Sequence, residues 1–265
     1  TALGSLTVSG TSAIDGGSVA TTGIQTYSDA VTLGANTSLT GSTVTFGSTR
    51  QSATIGVTKA TLGITGAAVF EGNVGGIGNV ALGSLSVSDI ATIGESDLGA
   101  ITVTTTGGQT YQGAVTLASN ATLATTDSAI LFGDTIDGAQ TLTANAGASG
   151  ITFGGQVGNT DALVSVDITA GTININGGTT FVDQSITGQS VVTTGTQTYT
   201  GSTVLGANTT LAGTTVTFEG TLDSDDDGDA TSPASEERTL GITGDAVFEN
   251  AVGATALGSL TVSGT

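Results

Sequence analysis

An all-β chain wound as a parallel β-helix is the fold class this sequence predicts, and three observations carry it: internal repeats, strand-like alternation of apolar residues, and a composition hostile to helix. The eleven residues Thr1–Thr11, reading Thr-Ala-Leu-Gly-Ser-Leu-Thr-Val-Ser-Gly-Thr, recur unchanged at Thr255–Thr265, 254 positions later. Apolar residues at Leu6/Val8, Val44/Phe46, Ile101/Val103, Ile173/Ile175 and Val216/Phe218 alternate with Thr, Ser or Asn at the period of two that places one side chain inward and the next outward. Forty-three glycines in a Thr- and Ser-rich background disfavour helix, while β-branched and aromatic residues supply strand preference.

The repeats follow one another in a fixed order. Their opening phrase returns as Leu82-Gly83-Ser84-Leu85 and, degraded, as Leu163-Val164-Ser165-Val166, so that Leu3, Leu82, Leu163 and Leu257 are spaced by 79, 81 and 94. This divides one solenoid segment, residues 1–265, into repeats 1–81, 82–162 and 163–256. The next copy begins at 257, as expected of a segment taken from a longer array. All three tyrosines then fall in one motif, Gln25-Thr26-Tyr27, Gln109-Thr110-Tyr111 and Gln197-Thr198-Tyr199. Behind each Tyr come a Val-Thr-Leu or Val-Leu strand (Val31–Leu33, Val115–Leu117, Val204-Leu205), a first Phe (Phe46, Phe132, Phe218) and a second Phe (Phe70, Phe153, Phe248).

Shorter periods lie within each repeat: the spacing from Tyr to first Phe is 19, 21 and 19, and from first to second Phe it is 24, 21 and 30. Units of about 20 residues are too small to bury a core alone and do so by stacking. A two-sheet sandwich would also place a turn every ~8–12 residues. Registration favours the β-helix, because equivalent apolar residues one circuit apart then pile directly above one another, with Phe46, Phe70, Phe132, Phe153, Phe218 and Phe248 as the core ladder. Short strands and about 21 residues per coil predict roughly 12 coils and a rod on the order of 60 Å long.

Composition bounds the function. A net charge of −19, with only Arg50, Lys59 and Arg238 as bases, argues against nucleic acid, whose phosphates need Lys and Arg. It equally disfavours an anionic membrane surface, and no run of about 20 apolar residues offers a membrane span. The absence of Cys removes disulfides and thiolate metal sites; together with the absence of Met, Trp and His it suits a long-lived extracellular protein that resists oxidation.

Gln-Thr-Tyr, Gly-Ala-Asn-Thr, Thr-Val-Thr-Phe-Gly, Asp137-Gly138-Ala139-Gln140-Thr141-Leu142-Thr143 and Leu6-Thr7-Val8 resemble the repeat vocabulary of very large bacterial surface proteins of the filamentous haemagglutinin type. The resemblance spans nearly the whole chain. It implies a secreted, right-handed β-solenoid at the cell surface serving as adhesin, stalk or extracellular fibre, and it carries no catalytic residue, because the shared motif is a packing motif.

One stretch breaks the repeat. The acidic segment 223–238 holds seven of the 22 carboxylates and the only Pro, and reads as an insertion projecting from the rod. Asp223, Asp225, Asp227, Gly228 and Asp229 stand at positions 1, 3, 5, 6 and 7 of a calcium loop, where alternating carboxylates converge on a hard cation. Position 12 is Ala234, so Glu236 or Glu237 would have to complete the shell. The alternative is a solvated acidic loop.

Asn36, Asn120 and Asn208 open three N-glycosylation sequons at equivalent positions. The reading preferred over glycosylation is of turn asparagines bonding the backbone and stacking on neighbouring coils. Each Tyr reads as core or as a corner plug with its hydroxyl at the edge, or as a glycan-stacking surface. Thr-Val-Thr runs such as Thr43–Thr45 resemble ice-binding ladders, without being sustained through adjacent coils. Lys59, as the sole lysine, leaves little room for isopeptide cross-links. β-Helices also include polysaccharide-cleaving enzymes, but those cluster acids and bases on one face, whereas here carboxylates outside the insertion are isolated. The expectation is a non-enzymatic shaft segment of an extracellular filament or giant adhesin. It would stack end to end with copies of itself and contact cell-surface glycans, with calcium as its one candidate cofactor; a polysaccharide-binding or polysaccharide-cleaving β-helix is the alternative.

Overall fold

The computed structural model describes residues 2–48, 50–52, 59–75, 81–96, 99–175, 189–224 and 237–264. Every strand pairing among them is parallel, no helix occurs, and the chain winds into a β-solenoid of about ten turns. Each turn lays strands on three faces in succession. In the first turn these are Leu6–Val8, Ser12–Ile14 and Ser18–Ala20, covered one turn later by Gln25–Tyr27, Val31–Leu33 and the start of Thr37–Phe46. Parallel pairing demands a crossover rather than a hairpin between partners, and the other two faces of the turn provide it.

Very short strands suffice because the alternation is faithful. Along Gln25–Tyr27, Val31–Leu33, Ala91–Ile93 and Ile130–Phe132 the outer two residues are buried and the middle one is not. Several strands are longer than expected, Ser165–Ile175 reaching 11 residues, because they run around a corner and belong to two faces. The pairing of Thr37–Phe46 with Leu62–Phe70 slips between Thr40 and Thr43 at such a corner. Gly66 turns it with φ +118°, where a Cβ would lie 1.9 Å from the Gly41 carbonyl oxygen. Gly244 does the same above Gly213. Only a residue without a side chain fits that approach.

The turn count is lower than the 12 expected because turn length is not constant. Hydrogen-bonded neighbours one turn apart are separated by 19 positions at Thr21/Thr40, by 24 at Glu95/Ser119 and by 21 at Asn120/Thr141. Two steps are much longer. That from Asn208 to Thr239, across the acidic segment, covers 31 positions, and that from Val157 to Val191 is longer still. No charge signature announces the second long step; the intervening residues 176–188 lie outside the described ones, as does Phe181, the seventh Phe.

Inward positions stack into columns. On the third face one column runs Val19, Leu39, Ile64, Val87, Tyr111, Phe132, Phe153, Ile175, Leu205, each the register partner of the next. From Leu39 through Leu205 these side chains are fully buried or nearly so. Each buried side chain of this size contributes roughly 1.5 to 3 kcal/mol, so cohesion accumulates along the axis. Phe132→Asp places a charge at the middle of this column. It is expected to uncouple the turns on either side, giving two thermal transitions where the parent shows one; an unchanged single transition would count against this placement.

Candidate functional site

The aromatic residues form three separate stacks, each one repeat's Tyr-Phe-Phe. Ring centroids are 5.4 and 5.8 Å apart in Tyr27–Phe46–Phe70, 5.5 and 5.4 Å in Tyr111–Phe132–Phe153, and 5.1 and 5.5 Å in Tyr199–Phe218–Phe248. Interplanar angles of 4° to 20° make them stacked pairs, each worth about 0.5 to 1.5 kcal/mol beyond area burial. The six phenylalanines thus belong to three ladders rather than one. Following the register shows why: Tyr27 lies on the first face, Tyr111 on the third and Tyr199 on the second. Each repeat ends one face short of a whole number of turns, so its aromatic stack moves around the rod.

Beside the Tyr of each stack, two residues earlier on the same strand, sits a polar device that spacing alone does not reveal. Gln25, Gln109 and Gln197 are fully buried. The Gln109 Nε2 donates to the Val103 carbonyl at 3.1 Å in its own turn and to the Ala124 carbonyl at 3.0 Å in the next; Gln197 does the same to Val191 and Ala212 at 3.0 and 2.9 Å. Gln25 donates to Val19 and Thr40. The amide oxygen that remains accepts the tyrosine hydroxyl, at 3.0 Å from Tyr27, 3.1 Å from Tyr111 and 2.8 Å from Tyr199. Of the alternatives for each Tyr the core placement holds: the hydroxyls are buried rather than at an edge, and no tyrosine face is presented to a glycan. Four residues ahead of each Gln, Thr21, Thr105 and Thr193 donate to the carbonyls of Gly23, Gly107 and Gly195 and close the corner. The signal is present in the sequence as Thr-Thr-Gly-x-Gln-Thr-Tyr, repeated three times. A Gln recurring two residues before a core Tyr is a satisfied buried amide.

The corner asparagines act between turns. The Asn36 side-chain oxygen accepts the Thr61 N–H at 3.0 Å, Asn120 that of Thr141 at 2.9 Å and Asn208 that of Thr239 at 2.9 Å, in each case one turn on. Asn73, which no sequon marks, accepts from Thr102 at 2.8 Å. Asp223 behaves alike: its Oδ1 accepts the Thr255 N–H at 3.1 Å. Its three companions in the candidate calcium loop, Asp225, Asp227 and Asp229, lie outside the described residues. Among the described residues no three carboxylates gather as metal ligands would.

Outward threonines align in a single rank. On the second face Thr102, Thr122 and Thr143 pair on consecutive turns, Asp167 follows, and Thr198 and Thr217 resume the rank. One rank of Thr is thus kept through three turns, whereas the Thr43–Thr45 run meets Ala67, Ala68 and Val69 on the next turn, so the Thr-Val-Thr ladder is not sustained through adjacent coils. No protein-family model, curated protein or solved structure matches the chain.

Burial holds the tyrosine hydroxyls above their ordinary pKa of 10 by desolvation of the phenolate. The unfolded chain loses these protons near pH 10 and the folded one only at higher pH, so the folded form binds more protons and stability falls as pH rises past 10. Each fully buried Tyr removes on the order of 1.4 kcal/mol per pH unit there. Absorbance at 295 nm should show phenolate appearing together with loss of the β-sheet signal; phenolate formed near pH 10 on an intact fold would contradict the burial. Gln109→Leu strands the Tyr111 hydroxyl and two carbonyls and should cost about 2 to 4 kcal/mol in denaturant unfolding. Asn120→Ala should cost about 1 kcal/mol and speed exchange of the Thr141 amide.

Proposed function

We propose that this chain is a structural segment of a long extracellular shaft, of a filament or giant surface adhesin, whose work is to supply length and stiffness outside the cell. The observation that supports this best is the continuity of the parallel ladder along the axis. Polar satisfaction in the core, the Asn and Asp contacts between turns and the aromatic stacks all join one turn to the next. In a rod so built, cohesion is a sum over neighbouring turns, as in other repeat arrays. The Thr-rich exterior and surplus of carboxylates fit a solvated shaft that repels its neighbours. Resemblance to the filamentous haemagglutinin repeat vocabulary supports a surface location, and successive copies end to end are the natural partner.

Antibodies raised against the chain should decorate thin filaments on intact, unpermeabilised source cells, while labelling seen only after lysis would contradict the reading. Small-angle scattering of the isolated chain should give a rod on the order of 50 Å long, about ten turns at the strand spacing.

A further inference from the structure

The phrase shared by the two ends is seen with opposite edges engaged. In its first copy the Leu6 N–H donates to the Ile24 carbonyl at 3.0 Å and the Val8 carbonyl accepts from Ser28 at 2.9 Å, both in the turn above. In its second copy, Gly258 and Ser263, the counterparts of Gly4 and Ser9, donate at 2.9 Å to the carbonyls of Arg238 and Ile242 in the turn below. Leu260 and Val262 pair with Leu240 and Ile242 on the first face, the face that also carries Leu6 and Val8. The spacing between the two copies is therefore a whole number of turns. The three repeats, each ending one face short, together return to the starting face.

Two inward columns stop at this end part-way through a pattern completed elsewhere. On the third face Val19, Leu39, Ile64 and Val87 lead to Tyr111. On the first face Val191, Leu211, Ile242 and Val262 repeat those four residue types and end there, with Val262 44% exposed. Likewise Phe70 is followed by Ile93 and Leu117, and Phe153 by Ile175 and Leu205. On the second face Phe248 has no such successors among the described residues, yet that face opens, at the other end of the chain, with an Ile14–Leu33 pair. Val247, Val252 and Leu260 are exposed on the same open end.

We propose that the open edge formed by Asp245–Phe248, Val252 and Ser259–Val262 seats the first turn of a second copy of this chain, the two copies sharing one Thr-Ala-Leu-Gly-Ser-Leu-Thr-Val-Ser-Gly-Thr segment. Ser12–Ile14 of the second copy lies on Ala246–Phe248, bringing Ile14 and then Leu33 above Phe248. Gln25–Tyr27 lies on Leu260–Val262, as it lies on Leu6–Val8 in the first. Every surface feature then recurs on the same side of the shaft once per copy. This rests on the shaft reading and adds to it the junction and its period.

The test is a tandem in which Thr265 is followed directly by residues 12–265, beside the single chain. In the tandem the amides of Ala246–Phe248 and Ser259–Val262 of the leading unit should exchange at least about tenfold more slowly than in the single chain, because they move from a frayed end into a ladder. Phe248→Asp in that unit should return them to single-chain rates. Single-chain rates in the unmutated tandem, or slowed exchange that persists in the Phe248→Asp tandem, would overturn the junction. Either result would leave each unit a protected rod and the shaft reading standing; that reading fails separately if the single chain scatters as a compact particle.

Discussion

Every inward side chain in this molecule must meet its counterpart one turn away, because parallel strands at a spacing of about 4.8 Å leave no other neighbour along the axis. That constraint explains the choice of residues. Val, Ile, Leu and Phe can be stacked on their own kind, and Phe can be stacked face on face. It also explains the tolerance for uneven turn length. A corner can take up extra residues, as in the steps from Asn208 to Thr239 and from Val157 to Val191, provided the chain re-enters the ladder at the next inward position.

Polar groups inside such a core are bound by the same rule. Gln109 spends one amide on its own turn and the next, then offers its oxygen to Tyr111, so that a buried carboxamide and a buried hydroxyl satisfy each other without water. Asn36, Asn120 and Asn208 do the equivalent work at the surface by closing the first amide of the following turn. These bonds fix the vertical register that hydrophobic stacking alone sets loosely, since one aliphatic residue slides over another at little cost while a hydrogen bond does not.

The parallel solenoid is legible in the sequence because period-two alternation and the recurrence of whole circuits are both written in side-chain type. The aromatic ladder is legible as six positions but not as three stacks, since which face a residue occupies depends on the summed lengths of all preceding corners. The strands that bend around corners are hidden for a related reason: Gly41 and Gly66 read as strand breaks, whereas one backbone passes tightly over the other and pairing resumes at Thr43. The buried Gln is masked by the Tyr beside it, the larger and more obvious marker of the motif. The rank of Thr102, Thr122 and Thr143 is equally hard to see, because aligned neighbours in space stand a whole circuit apart in the chain.

A distance along the axis bears most directly on the stacking itself. Thr102 and Thr217 sit outward in one rank on the second face, five register steps apart. The chain has no Cys of its own, so nitroxides on Thr102→Cys and Thr217→Cys can be read without background. Parallel stacking predicts one narrow distribution centred at roughly 24 Å. A centre beyond about 40 Å, or a broad distribution with no maximum near the multiple of the strand spacing, would contradict it.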